Sequence, residues 1–136
     1  MADTTKPTLT YFPFHGKAMP IRMMLKHKGI DFEDKTVTFE QFAEMKAAGE
    51  VPAGQVPLWQ ENGRTVNQAT AIMRHLGRQH GYYPQDDLVE AFNIDWCLET
   101  IADLWNPGHY RLFFNETADD ADKCEAAIAA FTKFND

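Results

Sequence analysis

The stretch of sequence that decides the fold is AGQVPLWQENGRTVNQATAIMRHL, residues 53–76. It contains two short strand-like runs, residues 56–60 and 64–66, separated by an Asn-Gly step that strongly favours a tight hairpin turn. Apolar residues at helical spacing follow over residues 67–80, and a glycine comes directly after them. This segment therefore predicts a β-hairpin that is followed by a covering helix.

Four further elements are predicted upstream of the hairpin. Residues 9–12 form a β-rich run that Pro13 ends, and residues 17–29 have the apolar spacing of a helix. Residues 32–39 alternate as a second strand does, and residues 42–48 have room for one or two helical turns. The order strand, helix, strand, helix, strand, strand, helix predicts an α/β domain of the thioredoxin-like type.

The remainder of the chain reads as helical. We predict a thioredoxin-like domain over residues 1–81, a linker over 82–86 and an incomplete helical domain over 87–136. Within the last of these, residues 88–114 read as one long helix with a kink at Pro107, and residues 121–134 as a second helix.

Composition excludes several classes of function. The 136 residues carry a net charge of −7 and no basic cluster, which argues against a nucleic-acid-binding surface. No apolar run is long enough to span a membrane, and the N-terminus lacks a secretory pattern, so we expect a cytoplasmic protein. Cys97 and Cys124 are too far apart in sequence for a CxxC pair, so neither a thioredoxin-type redox site nor a metal site is predicted.

An ordered set of short motifs resembles one known family. Its members combine a tyrosine-aromatic pair at the end of the first strand, a glycine-containing loop, an Ile-Arg pair, a Gly-x-hydrophobic-Pro run, an Asn-Gly turn and a Gln-Ser pair before a helix. Here these motifs read Tyr11-Phe12, Gly16-Lys17-Ala18, Ile21-Arg22, Gly54-Gln55-Val56-Pro57, Asn62-Gly63 and Gln68-Ala69. The chain thus resembles the glutathione S-transferases, most closely their sigma class, over residues 7–115.

The resemblance implies a transferase that uses glutathione as cosubstrate and acts on small hydrophobic electrophiles. A cysteine thiol titrates at about 8.5, so such an enzyme has to stabilise the thiolate near neutral pH. By resemblance, Tyr11 donates the hydrogen bond to sulfur, and Lys17 stands where sigma-class enzymes have a supporting arginine. A lysine keeps the positive charge of an arginine but loses its planar fork.

The same resemblance assigns a set of binding residues for glutathione. Val56, which precedes a cis proline, pairs with the cysteinyl part of glutathione. The N-terminus of the following helix binds the γ-glutamyl carboxylate. An aromatic residue and a lysine contact the glycyl end. In dimeric relatives an aspartate of the long helix reaches the partner's γ-glutamyl ammonium. The residues at these positions are Phe42, Lys46, Gln55, Val56, Pro57, Gln68, Ala69 and Asp95.

Two readings of function remain open from the sequence. Tyr11, Pro57 and Gln68 favour an active transferase. Ala69, where the family has serine, Lys17, and the small number of predicted C-terminal helices favour a transferase-like structural subunit of a larger assembly. Because two helices leave apolar positions uncovered, we expect a homodimer or incorporation into a complex.

Overall fold

The computed structural model describes residues 6–105 together with residues 121, 122 and 125. The chain divides into two compact units between Ala91 and Phe92. The first unit holds every strand that the described residues form and every site candidate except Asp95. Among the described residues, no helix is both long and apolar enough to cross a membrane.

A mixed sheet of four strands forms the centre of the first unit. Its strands are β1 (Thr8–Tyr11), β2 (Glu33–Thr36), β3 (Leu58–Glu61) and β4 (Arg64–Val66), in the order β2-β1-β3-β4. β1 runs parallel to β2 and antiparallel to β3, and β3 pairs antiparallel with β4. The predicted thioredoxin-like arrangement is therefore confirmed, including the hairpin turn.

Three helices accompany this sheet, and a fourth leads into the second unit. They are α1 (Met19–His27), α2 (Phe39–Ala47), α3 (Ala69–His80) and α4 (Leu88–Leu104). Short 3-10 turns at Gly16–Ala18 and Pro52–Gly54 connect strands to helices. α1 and α3 supply buried apolar residues to the core beside those of β1 and β3; the most completely buried are Leu9, Ile21, Leu25, Leu58, Ile72 and Leu76.

The second strand and the second helix differ from the sequence prediction. The alternating pattern places Phe39 in the strand, but this residue begins α2, because Thr38 caps that helix. The Thr38 hydroxyl accepts from the Gln41 N–H at 3.1 Å, and the Gln41 side chain accepts from the Thr38 N–H at 2.9 Å. This is a capping box, whose T-x-x-Q signature is present in the sequence and marks the helix start.

The predicted C-terminal helices are only partly within the described residues. α4 begins at Leu88 as predicted and is helical to Leu104. Its predicted continuation to residue 114, the kink at Pro107 and most of the helix over 121–134 lie outside the described residues. α4 exposes large apolar side chains at Leu88, Val89, Phe92, Trp96 and Ile101.

A polar cluster on the β3 and α3 side of the sheet sets a pH dependence of stability. Glu61 accepts from the Trp59 indole N–H at 3.2 Å and lies 3.1 Å from Nε2 of His75. Burial by itself raises the pKa of Glu61, but the hydrogen bonds from His75, Trp59 and Gln79 and the charge of His75 outweigh it, so the pKa lies below 4.5.

We expect Glu61→Gln to lower the free energy of unfolding by about 1 kcal/mol at pH 7. Because the folded pKa is depressed, this stabilisation exists above the unfolded pKa and is lost as pH falls through the folded value. The difference between the two proteins should therefore shrink as pH falls through the folded pKa of Glu61 and vanish once this carboxyl is protonated in both the folded and the unfolded state. Urea unfolding at several pH values measures this difference in stability, with Glu50→Gln at an exposed position as the control. A difference that persists in acid would contradict the stabilising role of the Glu61 carboxylate.

Candidate functional site

The candidate residues of the first unit come together at the C-terminal end of β1. In the β1–β3 ladder Thr10 stands opposite Leu58, so one further step places Tyr11 level with Pro57. The end of the first strand and the start of the third thus lie side by side. Loops after β1, before β3 and after β4 all converge on this edge of the sheet.

Tyr11 is held at the centre of this edge. Its side chain is only 3% exposed, and its ring contacts those of Phe12 and Phe14 at centroid distances of 5.4 and 5.6 Å. The Tyr11 hydroxyl oxygen accepts a hydrogen bond from the Lys17 backbone N–H at 3.2 Å. Since that bond occupies the oxygen as acceptor, the hydroxyl hydrogen is left to donate elsewhere.

Gly16 makes this close approach of the loop to Tyr11 possible. It has a φ of +40°, and a Cβ placed on it would stand 2.5 Å from the Tyr11 hydroxyl oxygen. Only glycine accommodates both the backbone conformation and the contact. The glycine of the loop motif therefore has a physical role at the tyrosine, which the sequence alone does not reveal.

The segment before β3 adopts the predicted backbone geometry. The Val56–Pro57 peptide bond is cis, which confirms the expectation from the sequence. The adjacent Gln55 lies beside the start of α3, where its side-chain oxygen accepts from the Gln68 amide at 3.4 Å. Nearby, the Asn67 amide donates to the Pro52 carbonyl at 2.6 Å and ties the β4–α3 junction to the same loop.

Gln68 occupies an unusual backbone conformation at the entrance to α3. Its φ of 74° and ψ of 102° are non-helical, so Gln68 precedes the helix and Ala69 is the first helical residue. No side chain of the described residues caps this N-terminus by a hydrogen bond. The backbone N–H groups of the first turn therefore face outward as donors with a partial positive charge. Strained non-glycine residues of this kind cluster at ligand-binding sites.

The two candidates on α2 also reach this edge. Phe42 contacts Phe12, with ring centroids 5.3 Å apart. The Lys46 ammonium lies 5.5 Å from the centre of the Phe42 ring. The Lys46 side chain also passes over Gly54: its Cε would be 3.3 Å from a Cβ placed on this glycine. One side of this edge of the sheet is thus formed by Phe42, Lys46 and Gln55, and Lys46 supplies a positive charge there.

Two residues stand apart from the sequence expectations. Asp95 lies on α4 in the second unit, so its predicted role across a dimer interface stays a prediction. Arg22 is only part of a motif in the sequence, yet its guanidinium lies 5.9 Å from the centre of the Tyr11 ring and donates to backbone carbonyls of the loop after β1. Its partly buried position, with several hydrogen bonds, becomes apparent only in the structure.

Comparison with known families identifies the family of this chain. Residues 7–78 match the N-terminal domain of glutathione S-transferases. That match spans more than half of the chain and contains every candidate of the first unit. The chain belongs to the glutathione S-transferase family.

Several individual relatives are similar over most of this chain. Glutathione S-transferase P of Caenorhabditis elegans is 40% identical over 96 residues, covering 71% of this chain and 45% of the relative. The glutathione S-transferase of Ascaris lumbricoides is 28% identical with a TM-score of 0.78, covering 95% of this chain and 63% of that one. Prostaglandin synthase D of Nilaparvata lugens is 33% identical with a TM-score of 0.74, covering 96% and 67%. The chain spans about half the length of the curated relatives it matches.

Proposed function

We propose that this chain binds glutathione at the edge of the sheet around Tyr11 and joins it, through its sulfur, to small electrophiles. The observation that carries the proposal is the Tyr11 hydroxyl, whose oxygen accepts from the Lys17 N–H and whose hydrogen is left to donate. A phenolic donor held in this way, beside a loop and a helix N-terminus that supply further donors, suits a thiolate.

The chemistry requires little beyond that hydrogen bond. The thiol of glutathione loses its proton to solvent, and the Tyr11 hydroxyl stabilises the thiolate that remains. The sulfur lone pair then forms a bond to an electrophilic carbon, and the leaving group departs with the electron pair of the bond that breaks. In an isomerisation, no group leaves and glutathione is released again. A donor aimed at the sulfur lowers the thiol pKa and so raises the thiolate fraction at neutral pH.

The rest of the edge is assigned to the other parts of glutathione. The γ-glutamyl carboxylate meets the first turn of α3 and the Gln68 amide, where the N–H groups and the helix dipole favour an anion. The Val56 backbone pairs with the cysteinyl unit as an added strand does. Phe42, Lys46 and Gln55 surround the glycyl carboxylate, and the Lys46 ammonium supplies the positive charge.

Within the family, we assign the chain to a sigma-like class. The 33% identity to a prostaglandin synthase D structure supports that assignment, while the curated relatives named glutathione S-transferase P favour the pi class. A screen of conjugation against isomerisation substrates separates the two, since prostaglandin isomerisation is expected of the sigma-like reading. The stacked Phe12 and Phe14 rings are our candidates for the wall that an apolar electrophile contacts.

Calorimetric titration with glutathione, followed by a conjugation assay with a nitro-activated aryl chloride, tests the proposal. Binding together with turnover supports it. If the chain does not bind glutathione at millimolar concentration, the proposed site is wrong. Binding without turnover would point to the second candidate function. That second candidate, a transferase-like structural subunit, is favoured by Ala69 in place of serine.

The exposed apolar residues of α4 lead to an expectation about association. Phe92 is 68% exposed and Trp96 64% exposed, which is unusual for side chains of this size on one helix. We expect a homodimer or a stable complex, in which this surface is covered. Light scattering at micromolar concentration measures the mass, and a single monomeric species would contradict the expectation.

Ala69→Ser should tighten glutathione binding. A serine hydroxyl at the first position of α3 adds one hydrogen bond to the γ-glutamyl carboxylate, and a bond to a charged group contributes about 1.5 kcal/mol or more. The dissociation constant should therefore fall about tenfold. Ala71→Ser is the matched control, because residues two apart point to opposite sides of a helix. Equal affinities of Ala69→Ser and the parent protein, measured by calorimetry, would refute the placement of the carboxylate.

A further inference from the structure

Arg22 makes more contacts than its place in a short motif requires. Its Nε donates to both carboxylate oxygens of Asp34, at 3.0 and 2.9 Å, which ties α1 to β2. Its Nη1 donates to the Phe14 carbonyl at 2.9 Å, and its Nη2 lies 3.5 Å from the Phe12 carbonyl. The Arg22 side chain is only 12% exposed, so these bonds form largely out of water.

The two carbonyls belong to the loop that directly follows Tyr11. That loop continues through Gly16 to Lys17, whose N–H holds the Tyr11 hydroxyl oxygen. The guanidinium itself lies 5.9 Å from the centre of the Tyr11 ring. A planar guanidinium can serve a carboxylate and two carbonyls at fixed angles at the same time, which a lysine ammonium cannot.

We propose that Arg22 is a positioning residue that clamps the loop after β1 and thereby holds the Tyr11 hydroxyl in place for the glutathione sulfur. This inference rests on the proposed function and adds a residue to it. The charged groups that meet at the clamp are Arg22 from α1 and Asp34 from β2; their ion pair is made through Nε and ties the two elements together, while the loop carbonyls are bound through Nη1 and Nη2. The clamp acts through the Phe12 and Phe14 carbonyls, and Arg22 does not touch the substrate.

The test is the pKa of the glutathione thiol when bound, which the ultraviolet absorbance of the thiolate reports. Arg22→Gln loses the clamp, so the thiol pKa should rise by about one unit and kcat at pH 7 should fall about tenfold. The KM for glutathione should stay within about twofold, because the residues that hold its two ends are unchanged. A residue that only stabilises the fold would not shift the thiol pKa of a folded, glutathione-bound variant.

Two further variants separate the clamp from the ion pair. Arg22→Lys keeps a positive charge beside Asp34 but cannot reach both carbonyls, so it should recover only a small part of the thiol pKa shift. Asp34→Asn leaves the carbonyl bonds in place, so it should lower the unfolding temperature while the thiol pKa stays within about 0.3 units of the parent value. If Arg22→Gln does not fold, the comparison of these two variants decides the question.

Three results would overturn the inference. These are a parent-like thiol pKa in folded Arg22→Gln, full rescue by Arg22→Lys, or an equal rise in Asp34→Asn. Failure of the proposed function is seen separately. If the parent protein binds no glutathione, or if Tyr11→Phe leaves the bound thiol pKa unchanged, the transferase site itself is wrong and the inference falls with it.

Discussion

Replacing Tyr11 with phenylalanine is expected to reduce conjugation at pH 7 by tenfold or more. The change removes one hydrogen bond to a thiolate, and such a bond to a charged group contributes about 1.5–3 kcal/mol. That corresponds to a rise of about one to two units in the pKa of the bound thiol. Above about pH 9 the thiol ionises without help, so the two proteins should approach the same rate there.

Steady-state rates across a range of pH measure this effect. The affinity for glutathione should change little, because its two ends contact Gln68, Ala69 and the residues of α2. Tyr83→Phe is the control, since Tyr83 is also buried but lies after α3, away from the end of β1. Unchanged turnover of Tyr11→Phe at pH 7 would mean that the tyrosine serves packing alone.

Gly16→Ala adds a single methyl group, and we expect it to reduce turnover more than any other such addition in the first unit. The added Cβ would lie 2.5 Å from the Tyr11 hydroxyl oxygen, which is closer than any real contact allows. Either the tyrosine or the loop has to move, and both the Lys17 N–H contact and the donor position are lost. The φ of +40° adds backbone strain of about 1–3 kcal/mol. We expect turnover to fall at least as far as in Tyr11→Phe.

Gly29→Ala separates strain from the collision with Tyr11. Gly29 has a similar φ of +66°, yet nothing lies within 4 Å of a Cβ placed on it. This variant should lose a comparable amount of stability in thermal unfolding while it keeps its transferase rate. If Gly16→Ala and Gly29→Ala show the same turnover, the close packing of the loop on Tyr11 has no bearing on catalysis.

The order of elements along the chain and the hairpin are predictable from sequence because local chemistry dictates them. At the Asn-Gly turn both residues have positive φ, and Gly81 ends α3 in the left-handed conformation. The predicted start of α2 is wrong because the apolar Phe39 also fits an alternating strand. The Thr38 capping box decides that boundary, and β2 is exposed along its whole length, so it carries no core pattern.

The candidate site is predictable only where a family motif names its residues. Tyr11, Pro57 and Gln68 are found in that way, and the structure brings them to one edge of the sheet. The contributions of Gly16 and Arg22 depend on contacts with the end of β1 and the loop after it, which the folded backbone creates. Neither the contact of Gly16 with the Tyr11 hydroxyl nor the hydrogen bond from Arg22 to the Phe14 carbonyl produces a periodic pattern in the sequence. Such roles emerge only from packing.

The most direct test of the central claim is the pKa of the glutathione thiol in its complex with this chain. It is obtained by following thiolate absorbance in the ultraviolet as pH is raised, with the Tyr11→Phe complex measured beside it. We expect the bound thiol to titrate at least about one unit below the free value of about 8.5, and Tyr11→Phe to return it toward that value. A bound thiol that titrates at the free value in the parent protein would show that Tyr11 does not stabilise the thiolate.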